Sequence, residues 1–170
     1  MIEKFTFDIQ APRVRDKLVL VKAEGELRAH VVLKLLAYMI FYTPGLKVEV
    51  AVDMHYKPDL VLMGDHGVPK VWIDCGKIAI RKVESLAAKL RASKVILVKE
   101  TKSELEQFRK VIAKKVEHME RLEFLAFEKG FTAALAESLR RTNEVTLYPV
   151  MENVIGLALN EEVFESHLYS

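Results

Sequence analysis

The sequence predicts a mixed α/β domain, and three observations carry that expectation. Alternating apolar runs of strand length recur along the chain, and a long apolar helix follows the first two of them. The middle of the chain then reads as helix, strand, strand, strand, helix, strand. At 170 residues the chain fits a single domain, residues 1–170, large enough to bury a real core.

Residues 5–9 alternate Phe5, Phe7 and Ile9 against Thr6 and Asp8, and residues 17–21 form a second β-like run. The turn-like Ala11-Pro12-Arg13-Val14-Arg15-Asp16 between them predicts a hairpin. Residues 25–42 read as a largely buried helix, ended by Thr43-Pro44-Gly45. Leu46, Val48, Val50 and Val52 alternate and predict a strand over residues 46–52. A loop holding Asp53, His55 and Tyr56 leads into a strand from Asp59, and Gly64-Asp65-His66-Gly67 turns into another over residues 71–75.

An amphipathic helix is expected over residues 79–90 and a short apolar strand over residues 94–98. The helix expected over residues 103–117 has Ser103 as N-cap and Glu106 in capping-box position. Residues 121–127 predict a strand and residues 131–140 a helix. Residues 144–149 and 154–159 predict two terminal strands, for which packing or edge protection is the default role.

Hydrophobic residues make up 51% and charged residues 29%, the balance of a soluble globular protein. No apolar run approaches the roughly 20 residues of a membrane span, so no membrane association is expected. The start of the chain lacks the apolar core of a secretion signal. Cys75 is the single cysteine, which excludes an internal disulfide framework and Cys-rich zinc sites and fits a cytoplasmic location.

A net charge of +2 does not by itself imply nucleic-acid binding. Between Lys77 and Lys115, however, twelve Lys or Arg stand against four Glu. Two readings remain open for this stretch: solvated helix faces, or a phosphate-facing surface that includes Arg81, Lys82 and Lys89.

The chemically sharpest residues are two acids in apolar, strand-like runs: Asp59 in Pro58-Asp59-Leu60-Val61-Leu62-Met63, and Asp74 in Val71-Trp72-Ile73-Asp74-Cys75. A carboxylate in such a run is costly to bury without compensation, and a divalent cation is one form of it. Asp74 also has a plainer reading, as an edge-strand acid paired with Arg81 or Lys82. Glu26 and His30 lie one turn apart on the first helix, on a stripe continued by Leu33 and Ala37. Glu26 is either a first-turn acid favoured by the helix dipole or a third member of the strand-acid pair.

These residues resemble the PD-(D/E)XK nuclease superfamily, and in wider context its YaeQ branch. The ordered set is Glu26, then His30-Val31-Val32-Leu33-Lys34-Leu35-Leu36-Ala37-Tyr38, Lys57-Pro58-Asp59-Leu60, Trp72-Ile73-Asp74-Cys75-Gly76, and a helix with Arg81-Lys82. The resemblance implies a restriction-endonuclease-like mixed sheet flanked by helices, with additional N- and C-terminal strands. It implies Glu26, Asp59 and Asp74 as the acids of the site. Asp59, Asp74 and the backbone carbonyl of Cys75 would hold Mg²⁺ or Mn²⁺. The superfamily's lysine, two residues after the strand acid, is replaced here by Gly76. Lys77 points to the opposite face by alternation, so Lys82 is expected to serve instead, with Arg81 as a phosphate clamp.

Three functions compete. The first is a divalent-metal-dependent phosphodiesterase acting on nucleic acid, with Glu26, Asp59, Asp74 and Lys82 as its catalytic set. The second is a catalytically silent module of the same fold that binds nucleic acid or a protein partner. The third is a small-molecule hydrolase.

Overall fold

The computed structural model describes residues Met1–Ser170. Its opening hairpin follows the alternation: β1 (Glu3–Gln10) pairs antiparallel with β2 (Arg15–Lys22) and turns Phe5, Phe7, Ile9, Leu18 and Leu20 inward. The long helix α1 (Arg28–Phe41) buries nine consecutive residues, Val31 to Met39, Lys34 among them. A helix apolar nearly all round needs walls on every side, and the sheet supplies them.

The remaining elements are β3 (Lys47–Val48), β4 (Leu60–Met63), β5 (Pro69–Cys75), α2 (Ile80–Lys89), β6 (Lys94–Thr101), α3 (Lys102–Ala113), β7 (Leu122–Phe127), α4 (Phe131–Glu137), β8 (Thr142–Leu147), β9 (Val154–Leu159) and β10 (Glu162–Tyr169). All ten strands form one mixed sheet in the order β2-β1-β8-β9-β10-β7-β6-β5-β4-β3. Its two halves meet where the end of β10 pairs with the end of β7, Leu168 with Phe127 and Tyr169 with Ala126. The sheet curls around α1 and α4, and a core cluster of 31 buried residues joins these helices to both halves.

A second cluster of 10 buried residues lies on the outer face, where α2 and α3 cover β5–β7. β6 serves both cores by simple alternation: Ile96 and Val98 face α1, while Val95 and Leu97 face α2 and α3. Trp72, Ile73, Leu86 and Leu97 are wholly excluded from solvent, each contributing about 2 kcal/mol of burial. No helix is long and apolar enough to cross a membrane.

The curled sheet is nearly closed. Its outer strands, β2 and β3, are bridged by Glu49, whose Oε1 accepts the Val21 N–H at 3.0 Å while its own N–H donates to the Asp59 carbonyl at 2.9 Å. Glu49 adopts a left-handed φ of 55°, and this turn ends the strand expected over residues 46–52 after only Lys47–Val48. Beyond it, Val52, Met54 and Tyr56 alternate onto the α2-side core without pairing to a strand.

Three further expectations are corrected. The N-cap of α3 is Thr101, whose Oγ1 accepts the Glu104 N–H at 3.1 Å; Ser103 lies inside the helix. The helix expected over residues 131–140 stops at Glu137. The C-terminal region contributes a third strand, β10, and that strand joins the two halves of the sheet.

Candidate functional site

Asp59 immediately precedes β4, and its N–H donates to the Ile73 carbonyl at 3.1 Å. The register that pairs Leu60 with Ile73 brings Asp59 alongside Asp74 on β5. The two carboxylates nevertheless engage different helices.

Asp59 belongs to the α1 side. Its Oδ2 accepts the Cys75 N–H at 2.8 Å and lies 3.2 Å from His30 Nε2. On the other side of the ring, His30 Nδ1 is 2.5 Å from Glu26 Oε1. Glu26 caps the chain before α1 by accepting the Ala23 N–H at 2.7 Å, and it also holds Lys34 Nζ at 2.8 Å. Lys34 in turn reaches Glu49 at 3.2 Å. The result is a line of alternating charge, Asp59–His30–Glu26–Lys34–Glu49.

An imidazole with a carboxylate at each nitrogen satisfies both only when both nitrogens carry protons. Burial works against that charged ring, but the hydrogen bond and charge of Asp59, with Glu26, outweigh it and raise the His30 pKa. Burial likewise pushes the Asp59 carboxyl up, yet His30 and the Cys75 N–H bring it below its ordinary value. Glu26 is lowered by Lys34 and the Ala23 N–H against the same opposing burial. Lys34, only 3% exposed, is raised because Glu26 and Glu49 overcome its desolvation.

Asp74 belongs to the α2 side, in register with Trp72 two residues before it. Its Oδ2 accepts the Trp72 Nε1–H at 2.8 Å, and its Oδ1 lies 2.9 Å from Lys82 Nζ. Lys82 also donates to the Lys57 carbonyl at 2.9 Å, tying the segment before Asp59 to the same ammonium. Asp74 is 2% exposed, and burial raises its pKa despite Lys82 and Trp72. Of the two pairing partners left open for Asp74, Lys82 is the one used. The strand is not an edge, since β5 lies between β4 and β6.

Between these groups β5 ends at Cys75, and Gly76 follows it. Gly76 has φ 78°, and a Cβ there would stand 3.4 Å from His30 Cδ2. The position therefore resists a side chain through its left-handed backbone, while the imidazole would meet a Cβ at ordinary contact distance. The Cys75 thiol is buried and pushed well up by burial and by the charges of Asp59 and Asp74, so it is no ready nucleophile. Lys77, Arg81 and Lys89 are exposed. Lys99, on β6, donates to the Gly76 carbonyl at 2.6 Å.

The fold thus unites Glu26 with Asp59 and Asp74 with Lys82, on either side of one strand end. No three His, Cys, Asp or Glu side chains converge in a way that could hold a metal ion. Two carboxylates with a backbone carbonyl are a hard-oxygen set suited to Mg²⁺ or Mn²⁺. Each carboxylate is already compensated by N–H donors and a resident cation. Of the residues that sequence reasoning left without a role, Lys34 continues the spacing of Glu26 and His30 along α1, and Trp72 stands two positions before Asp74; both signals were readable. Glu49 and Lys99 carry no comparable signal.

Comparison with known proteins agrees with this architecture. No curated protein matches the chain. The chain is similar in structure to the YaeQ protein from Xanthomonas axonopodis pv. citri, with TM-score 0.77 and 17% identity over 98% of this chain and 95% of that one. It is likewise similar to the YaeQ protein from Pseudomonas syringae, with TM-score 0.76 and 14% identity over 98% and 93%. At those identities the likeness speaks for the fold alone. The family model described as YaeQ protein matches residues 16–168, and the chain belongs to that family.

Proposed function

We propose that this chain is a divalent-metal-dependent, nuclease-like phosphodiesterase acting on nucleic acid, on a restriction-endonuclease-like variant of the mixed α/β fold. The observation that carries the reading is the ammonium of Lys82 on Asp74 at the sheet end where Asp59 also sits. An acid pair with an adjoining lysine is a set suited to metal-assisted phosphodiester hydrolysis. Asp59, Asp74 and the Cys75 carbonyl would hold Mg²⁺ or Mn²⁺, which when bound would polarise the phosphate and offset charge on the leaving oxygen. Lys82 would orient the attacking water or balance transition-state charge, and Glu26 would act through His30 on the orientation of Asp59. Arg81 and Lys89, exposed on α2, would contact the nucleic-acid backbone.

One observation favours a second reading, a silent nucleic-acid or protein-binding module. Each carboxylate already has a cation from within, Asp59 that of His30 and Asp74 that of Lys82.

Calorimetric titration of Mg²⁺ and Mn²⁺ into wild type and the Asp59→Ala/Asp74→Ala double variant separates the two. Both proteins are then assayed on single- and double-stranded DNA and RNA. Metal binding and cleavage that are lost together in the double variant support the enzyme. Metal binding without cleavage supports the silent module, and no metal binding by wild type reduces both acids to structural roles.

A further inference from the structure

Two lysines are fully buried in this protein, and they are compensated differently. Lys34 is enclosed between Glu26 and Glu49. Lys99 is 5% exposed, forms no ion pair, and donates to a single neutral acceptor, the Gly76 carbonyl at 2.6 Å. Its ammonium sits 3.9 Å from the centroid of the Phe108 ring on α3, so an aromatic face takes part of the place of a counter-ion. Lys82, the other shielded lysine near the sheet end, has Asp74 as its partner.

The position of Lys99 is as informative as its lack of a partner. β5 and β6 run parallel, with Asp74 beside Leu97 and Cys75 beside Val98. The next step of that register sets Gly76 beside Lys99. By alternation Lys99 shares the α2–α3 face with Trp72, Asp74, Val95 and Leu97. It therefore lies diagonal to Asp74, near the carboxyl ends of two parallel strands, the end at which α/β sheets and barrels receive ligands. The first turn of α2, which leaves the same strand end, contains no acid and no side-chain cap. A buried ammonium that lacks a carboxylate, close to a strand end lined by the exposed Lys77 and Arg81, has the electrostatics of an anion-binding group.

We propose that Lys99 is a substrate-contacting residue that binds a phosphate group of the nucleic-acid backbone beside Asp74. The proposal rests on the phosphodiesterase reading for its substrate class. Burial lowers the Lys99 pKa against the opposing charges of Glu104 and Asp74, neither of which ion-pairs with it, and an approaching phosphate would supply a direct counter-charge.

The test uses the wild-type chain and two variants, Lys99→Met and Lys99→Arg. The probes are inorganic phosphate and a fluorescent single-stranded oligonucleotide, both without divalent ions. Side-chain amine NMR of wild type follows Lys99 directly, so the test does not depend on a variant folding. The expected result is a raised Lys99 titration midpoint on adding either probe. Oligonucleotide affinity falls about tenfold in Lys99→Met, the size of one charged hydrogen bond, and recovers in Lys99→Arg. Mg²⁺ affinity, measured separately, is not weakened in Lys99→Met.

A Lys99 signal unmoved by both probes, or unchanged oligonucleotide affinity in Lys99→Met, overturns the proposal. If that occurs while wild type binds Mg²⁺ through Asp59 and Asp74, the phosphodiesterase reading survives. If Lys99 responds to phosphate but the two acids bind no metal, the anion contact stands and the reading of the acids falls.

Discussion

Asp59 and Asp74 come alongside each other where β4 meets β5, yet their carboxylates are held by different helices. His30 of α1 pairs with Asp59 at 3.2 Å, and Lys82 of α2 pairs with Asp74 at 2.9 Å. Two buried acids that close would repel if both were uncompensated. A separate cation for each one eases the conflict, while burial and the Asp59 charge still raise the Asp74 pKa.

A divalent ion must therefore compete with Lys82 for Asp74. Lys82→Met removes the competitor, so Mn²⁺ affinity measured by calorimetry should rise, while Asp74→Asn should abolish it. In the absence of metal, Lys82→Met leaves Asp74 buried without its cation, and unfolding by urea should show a loss of about 3 kcal/mol near neutral pH.

The His30 bridge has a signed pH dependence. Its raised pKa means that the stabilisation is full below the ordinary imidazole value of 6.5 and is lost as pH rises through the raised value. Asp59 acts in the other direction. Its lowered pKa gives stabilisation that is present above the ordinary 3.8 and lost as pH falls through the lowered value. Urea midpoints across pH should show both limbs, and His30→Gln should remove the alkaline one.

Asp74 carries the opposite sign from Asp59. Its raised pKa makes the folded state favour the protonated form, so the wild type gives up stability as pH rises through that value. The stability of Asp74→Asn relative to wild type should therefore improve between acidic and neutral pH. A constant difference across that range would contradict the raised pKa.

Gly76→Ala tests the contact beneath His30. Gly76 and Gly130 both have left-handed φ, 78° and 88°, but a Cβ at Gly130 meets nothing within 4 Å. Both alanine variants should lose about 1 kcal/mol from the backbone. Gly76→Ala should bring its methyl into contact with the His30 ring and shift that ring's NMR signals, where Gly130→Ala does not.

Glu49 holds the seam of the curled sheet. Glu49→Ala releases the exposed Val21 N–H to water and halves the compensation of buried Lys34. The expected cost is about 2 kcal/mol. Hydrogen exchange at Val21 should quicken more than at Leu20, whose backbone lies in the same hairpin.

Much of the architecture can be read from local pattern. Alternation in β1 and β2, the apolar length of α1, and the helix–strand order from α1 to β6 all reflect which face of each element is apolar, and that is a property of neighbouring residues. The strand expected at residues 46–52 stops after Lys47–Val48 because Glu49 is drawn into a left-handed turn by partners on β2 and α1. Ser103 had the right residue type for a cap, but Thr101 lies where the backbone leaves β6 and takes the role.

The sequence by itself determined the mixed α/β class and the order of nearly all elements, and through its family resemblance it singled out Glu26, Asp59, Asp74 and Lys82 as candidates. The class and the order follow from composition and periodicity, which act over a few residues. Only the tertiary structure decided that Lys82 compensates Asp74, that His30 lies over Gly76 and bridges Glu26 to Asp59, and that Lys99 is left without a carboxylate. Those outcomes depend on which helix covers which face and on strand register between segments far apart in the chain, where a shift of one residue would exchange every buried charge for its neighbour.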